Sequence, residues 1–184
     1  ATYNGEKFFF DQLESIRNQT LLPHEIVISD DNSSDNTLAI IDQALPEKWR
    51  KDNGVALKVL RNAEALGPGK NFEQAILSCT SDFIACADQD DLWVPHKLEV
   101  LVKAFSKHPE ALLVHSDAEL VDSIGTPIGM TLSEGLSFSE KELFLLDSGH
   151  SLPAIIKRNL VTGATMMVKR ELVEIALPLP RDEL

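Results

Sequence analysis

The sequence predicts an α/β fold, a mostly parallel central sheet flanked by helices, with an α+β C-terminal part. Short apolar runs at residues 24–29, 56–61, 83–87 and 112–115 have strand length and polar borders. Stretches with apolar residues at helical spacing stand between them, and strands alternating with helices build parallel sheets, because each crossover needs a helix. After Ser116 this alternation gives way to a looser mixture.

The first element follows a turn at Ala1-Thr2-Tyr3-Asn4-Gly5: residues 6–18 place Phe9, Phe10, Leu13 and Ile16 at helical spacing. The strand at 24–29 runs into the polar loop 30–37, and Leu38, Ile41, Ala44 and Leu45 mark the next helix. The strand at 56–61 leads to a Gly/Pro loop at 62–69, and residues 71–78 form a helix with Phe72, Ala75 and Ile76 inward. The strand at 83–87 ends in Asp88, Asp90 and Asp91. Pro95 suits a first helical turn, with Leu98, Leu101, Val102 and Phe105 along one face behind it. Residues 120–125 read as strand and turn, 140–146 as a short helix, 162–168 as a strand containing Gly163, and 170–176 as a final helix stopped by Pro178 and Pro180.

At 184 residues the chain suits one domain, with 1–115 and 116–184 as its two parts. Its 43% hydrophobic and 25% charged residues are ordinary for a globular protein, and no apolar run is long enough to span a bilayer. No signal peptide is visible, and Cys79 and Cys86 read as reduced thiols, which together predict a cytoplasmic setting. A formal charge of −12 argues against a nucleic-acid partner, which needs a basic face.

The familiar phosphate motifs fail. Gly67-Pro68-Gly69-Lys70 is followed by Asn71 and preceded by Glu64 where a P-loop has glycine, and no G-x-G-x-x-G follows a strand. Residues 31–42 carry alternating oxygens like a calcium loop, yet Asn36 replaces the turn glycine and Asp42 the bidentate glutamate. The histidines lack metal-ligand spacing, and Cys86 lies in an apolar strand, a core position rather than a nucleophile's.

Two acidic loops remain, each at the carboxyl end of an expected strand, where parallel sheets bind ligands. In the first, Asp30 and Asp31 can accept hydrogen bonds from a base edge or ribose hydroxyls, and Asp35 suits a cap for the following helix. In the second, Asp88 and Asp90 lie two apart, on one face of an extended segment, where they can share a cation. An all-oxygen set suits Mg²⁺ or Mn²⁺. The plainer alternative is an acidic loop that only caps the next helix.

Four stretches in order, Ala1-Thr2-Tyr3-Asn4-Gly5, residues 12–20, residues 29–37 and Asp88-Gln89-Asp90-Asp91-Leu92-Trp93 with Lys97-Leu98, resemble a bacterial family 2 glycosyltransferase of the GT-A, Rossmann-like fold. The acidic motif is similar to that of the rhamnosyltransferase-like branch, and residues 159–167 resemble its acceptor-side strand. The resemblance implies a metal-dependent, inverting transfer of sugar from a nucleoside-diphosphate donor to a saccharide or lipid-linked saccharide acceptor in surface polysaccharide synthesis, at the cytoplasmic face of the inner membrane. It implies a nucleotide pocket with Ala1, Thr2, Tyr3 and Asp30 or Asp31, and Lys70 and Asn71 in a loop near the donor. It places Asp88 on the ribose and, with Asp90, on Mg²⁺ or Mn²⁺, and sets Asp117 and Gly163 on the acceptor side.

The family's base is a carboxylate downstream of the Gly163 segment, in a His-Asp pair this chain lacks. The resemblance therefore places the base beyond Leu184, and Asp182 and Glu183 are weak candidates in another context. With no strand ahead of Thr2 and no such base, the chain is expected to be a fragment that transfers little sugar alone. Rival readings are a nucleotide-sugar-binding module without turnover, and a sugar nucleotidyltransferase, whose basic Gly-rich opening loop residues 1–7 lack.

Overall fold

The computed structural model describes residues 1–178. The first helix, α1 (Phe9–Arg17), begins later than the spacing predicts, because residues 6–8 belong to the turn. Phe9, Leu13 and Ile16 face the core as expected, but Phe10 is exposed, one residue off that stripe. The parallel pair β1 (Glu25–Asp30) and β2 (Ala56–Arg61) runs in register from Glu25 opposite Ala56 to Asp30 opposite Arg61. Thr2 adds a parallel bridge to Asp30 on the other edge of β1.

Between the two strands lie α2 (Thr37–Ala44) and α3 (Glu47–Asn53). The short α3 has no buried residue and hence no apolar stripe to reveal it. Next come α4 (Pro68–Ser78) and β3 (Phe83–Ala85). The proline expected to lie in the Gly/Pro loop opens α4 instead, where its missing N–H costs nothing, after Gly67 at a φ of 83°. Helix α5 (Lys97–Lys107) starts two residues past Pro95, and strand β4 (Leu113–His115) follows.

The last part holds a hairpin of β5 (Glu119–Val121) and β6 (Pro127–Thr131), then the small helices α6 (Leu132–Gly135), α7 (Glu140–Asp147) and α8 (Leu152–Ile155). Gly163–Thr165 form a 3₁₀ turn, so Gly163 precedes the expected strand rather than lying in it, and β7 occupies only Met166–Lys169. It runs antiparallel between β3 and β4, and α9 (Arg170–Ala176) closes the described fold. One main core joins Leu13, Ile28, Ile41, Leu45, Leu101 and Phe105. It fixes the frame from which the loops at the sheet's end project.

Candidate functional site

Three turns meet at one edge of the molecule. The backbone of Thr2 is pinned to β1, donating to the Ser29 carbonyl at 2.9 Å and accepting from the Asp31 amide at 2.8 Å. The polar loop after β1 grips the same turn: Asn4 donates its amide to Ser33 Oγ at 2.9 Å, and Gly5 donates to Thr37 Oγ1 at 2.7 Å. Asp35 supports the start of α2, its Oδ1 accepting from the Thr37 amide at 3.0 Å while Oδ2 accepts from Glu6 at 3.0 Å.

Gln89 ties in the third turn. Its Oε1 accepts from Thr2 Oγ1 at 2.8 Å and from the Tyr3 amide at 2.9 Å, and its Nε2 donates to the Tyr3 carbonyl at 3.2 Å. A Cβ on Gly5 would lie 2.7 Å from Gln89 Oε1, so a side chain there would push Gln89 away from Thr2 and Tyr3. Buried Gln12 supports the acidic turn from below, donating to the Asp88 carbonyl at 2.9 Å.

The two acids left open by the sequence separate here. Asp31 is fully engaged, accepting from Asn62 Nδ2 at 2.9 Å, the Leu66 amide at 2.7 Å and the Gly67 amide at 2.9 Å. Asp30 is 1% exposed; its Oδ2 accepts from the Ser33 amide at 3.0 Å, and its Oδ1 has no partner among the described residues. A buried carboxylate oxygen without a donor is costly unless a ligand supplies one.

The acidic turn is under-compensated. Partial burial first, and then the Asp90 charge, push the Asp88 carboxyl above its ordinary range; Asp91 is raised by burial and by Asp88 and Asp90. Lys97 is a nearby cation, and burial lowers its own pKa to about 8 against the pull of Asp91 and Asp88. Its ammonium lies 4.5 Å above the Trp93 ring and donates to the Ala164 carbonyl at 2.6 Å. Lys97 thereby joins the acidic turn to the 3₁₀ turn that Gly163 opens.

Among the described residues no group of three or more His, Cys, Asp or Glu side chains gathers to hold a metal ion. Asp88 and Asp90 nevertheless suit a hard divalent cation chemically: their donors are carboxylate oxygens, and their repulsion is what a cation would relieve. Two carboxylates leave most of an octahedral shell to a ligand's oxygens or to water.

Thr2, Tyr3, Asp30, Asp31 and the Asp88–Asp91 turn come together, with Ala1 beside them. Others serve differently. Lys70 pairs with Glu73 at 2.9 Å. Buried Asn71 bolts the backbone, donating to the Ser29 carbonyl at 3.0 Å and more weakly to that of Thr2 at 3.4 Å. Asp117 accepts from the Ser133 hydroxyl and from the Ala118 and Ser133 amides; burial opposes its ionisation, but these bonds hold its pKa below the usual range. Asp182 and Glu183, the weak candidates for the base, lie outside the described residues, and so does Leu184, beyond which the resemblance places that base. Sequence reasoning missed Gln89, Gln12 and Asn62 as organisers; the signal for Gln89 and Gln12 was their place inside stretches that carry the resemblance, and for Asn62 its position just past the end of a strand.

The sequence profile described as "Glycosyl transferase family 2" matches residues 1–127. The dTDP-rhamnosyl transferase RfbG of Shigella flexneri is 37% identical over 103 residues, 54% of this chain and 34% of that protein. UDP-Glc:alpha-D-GlcNAc-diphosphoundecaprenol beta-1,3-glucosyltransferase WfgD of Escherichia coli is 30% identical over 107 residues, 58% of this chain and 39% of that one. The chain thus spans little more than a third of the length of these relatives.

The structure of S. aureus TarS 1–349 in complex with UDP superposes with a TM-score of 0.55 at 28% identity, over 70% of this chain and 37% of that one. The mannosyltransferase PcManGT of Pyrobaculum calidifontis, in complex with GDP-Man and Mn²⁺, gives 0.63 at 19% identity over 98% of this chain and 46% of that one, a likeness of fold alone. The fold is the GT-A fold, and the chain belongs to glycosyl transferase family 2.

Proposed function

We propose that this chain carries the donor-binding half of a glycosyltransferase that moves a sugar from a nucleoside-diphosphate sugar to an acceptor hydroxyl in bacterial surface polysaccharide synthesis. The carrying observation is the unpartnered Oδ1 of buried Asp30, held on the same edge as the acidic turn by the Thr2–Gln89 bond. A nucleoside offers what this oxygen lacks, an N–H on its base or a ribose hydroxyl. Asp88 and Asp90 face the diphosphate and hold Mg²⁺ or Mn²⁺ there; when bound, that ion offsets the charge that grows on the leaving group.

The solved relative with UDP and the named dTDP-sugar and UDP-sugar enzymes support this donor class. The diphosphoundecaprenol acceptor in one relative's name supports a lipid-linked saccharide acceptor at the membrane face. Among the described residues, no helix is long and apolar enough to cross a membrane. Displacement with inversion follows from a single in-line attack by an acceptor hydroxyl that a carboxylate deprotonates, with Asp117 and Gly163 on the acceptor side.

A thermal-shift panel of UDP-, GDP- and dTDP-sugars with and without Mn²⁺ tests the reading, because a ligand that binds only the folded chain raises its melting temperature. At least one nucleotide sugar is expected to stabilise the protein, and more strongly with Mn²⁺. No shift with any of them would overturn the proposal.

A further inference from the structure

Lys97 answers to two parts of the molecule at once. It opens α5, and its ammonium donates to the Ala164 carbonyl at 2.6 Å while lying 4.5 Å above the Trp93 ring. The carboxylates of Asp91 and Asp88 pull on the same ammonium, Asp91 the more strongly, through charge rather than through a hydrogen bond.

The Ala164 carbonyl belongs to a turn with little slack. Within Gly163–Thr165 the Thr165 amide donates to the Thr162 carbonyl at 3.0 Å, and Thr165 Oγ1 donates to the same carbonyl at 2.7 Å. The Thr165 carbonyl accepts from the Ser116 amide at 3.1 Å, so the turn is tied to the residue next to Asp117. Ala164 and Thr165 are both buried. A buried carbonyl needs one donor, and an amide or a hydroxyl would suffice; a lysine brings a full charge whose desolvation is costly. Carboxylates nearby offset that cost, and they belong to the acidic turn whose charge a divalent cation would neutralise. One ammonium thus has two claims on it, and the strength of one claim depends on what the acidic turn holds.

We propose that Lys97 is a positioning residue that couples the acidic turn to the Gly163–Thr165 turn. When a divalent cation and a nucleoside diphosphate occupy the acidic turn, the claim of Asp91 and Asp88 on the ammonium weakens, and Lys97 commits to the Ala164 carbonyl and tightens the turn. The coupling rests on the reading that Asp88 and Asp90 hold such a cation. It orders the two halves of the reaction, since the turn that carries Gly163 firms up once the donor is in place.

The test reads amide hydrogen exchange at Thr165 in the 184-residue chain and in three variants, with Mn²⁺ and UDP, GDP or dTDP in turn, while calorimetry records binding independently. In the wild-type chain, Mn²⁺ with the nucleotide that binds is expected to slow exchange at Thr165 by ~5-fold. Lys97→Met keeps the aliphatic stem and drops the ammonium; it should exchange faster at Thr165 and lose the response, while binding Mn²⁺ and nucleotide at least as tightly because a competing cation is gone. Lys97→Arg should restore the response. Asp91→Asn removes the stronger claim and should slow exchange at Thr165 by ~3-fold with no Mn²⁺ present. Binding without any change at Thr165 in the wild-type chain overturns the coupling and leaves the cation reading standing, and so does a response of equal size in Lys97→Met. Should Lys97→Met fail to fold, Asp91→Asn decides, and exchange equal to wild type in that variant overturns the coupling. Absence of binding by all three nucleotides with Mn²⁺ overturns both the coupling and the cation reading.

Discussion

The two acidic turns share an edge but differ in how far their charges are satisfied. Around Asp30 and Asp31 the chain supplies donors in abundance, and a single carboxylate oxygen is left over. Around Asp88, Asp90 and Asp91 it supplies almost none, and burial with mutual repulsion pushes two of the carboxyls up. The difference teaches that acidity alone does not mark a ligand site. Asp31 is a structural clasp for residues 62–67, Asp30 keeps one buried oxygen that no described residue satisfies, and the second turn is held by its backbone while its side chains stay unneutralised.

Substitutions should break this contrast in a definite order. Asp31→Ala removes three hydrogen bonds and orphans the Leu66 and Gly67 amides, so it is expected to cost ~3 kcal/mol or more in urea unfolding. Asp30→Asn keeps an acceptor for Ser33, so stability should move by under ~1 kcal/mol, while calorimetric affinity for the preferred nucleoside diphosphate falls ~10-fold. If the two effects are exchanged, the roles are reversed.

Gln89→Ala should cost ~1 kcal/mol by freeing Thr2 and Tyr3, and should speed exchange at the Tyr3 amide. The smallest effect has the opposite sign. Asp88→Asn should stabilise the ligand-free protein, by under ~1 kcal/mol because the group is only half-buried. A carboxyl whose folded pKa is raised binds more protons in the folded state, so stability falls as pH rises from its ordinary pKa through the raised one. Melting temperature followed from pH 4 to pH 7 should therefore decline less in Asp88→Asn than in the wild-type chain. The same substitution should abolish any Mn²⁺ enhancement of nucleotide binding.

Much of the fold was legible because apolar periodicity reports burial directly. Ala56–Arg61 and Arg170–Ala176 fall where the sequence places them, and Leu98, Leu101 and Phe105 form the buried face of α5. Helix α3 was not legible, since nothing in Glu47–Asn53 is buried and no stripe exists to read. The strand containing Gly163 was overextended because residues 162–165 run straight into the apolar Met166–Val168 with no marked break, while their hydrogen bonds close a 3₁₀ turn that Thr165 seals by donating to the Thr162 carbonyl at 2.7 Å.

At the site, motif spacing located both acidic turns, but it could not distinguish Asp30 from Asp31. That choice is made by donors from residues 62–67, remote in sequence. Lys70 and Asn71 lie near the site, yet their side chains serve Glu73 and the Ser29 carbonyl.

The central claim is that the two turns serve one ligand. Isothermal titration of UDP, GDP and dTDP into the wild-type chain, Asp30→Asn and Asp88→Asn, each with and without Mn²⁺, tests it most directly. Binding of one nucleotide should tighten at least ~10-fold with Mn²⁺ in the wild type. Asp88→Asn should lose that Mn²⁺ gain, and Asp30→Asn should weaken binding whether or not the metal is present. If the Mn²⁺ effect persists in Asp88→Asn, or if Asp30→Asn binds as tightly as the wild type, the two turns do not share a nucleotide.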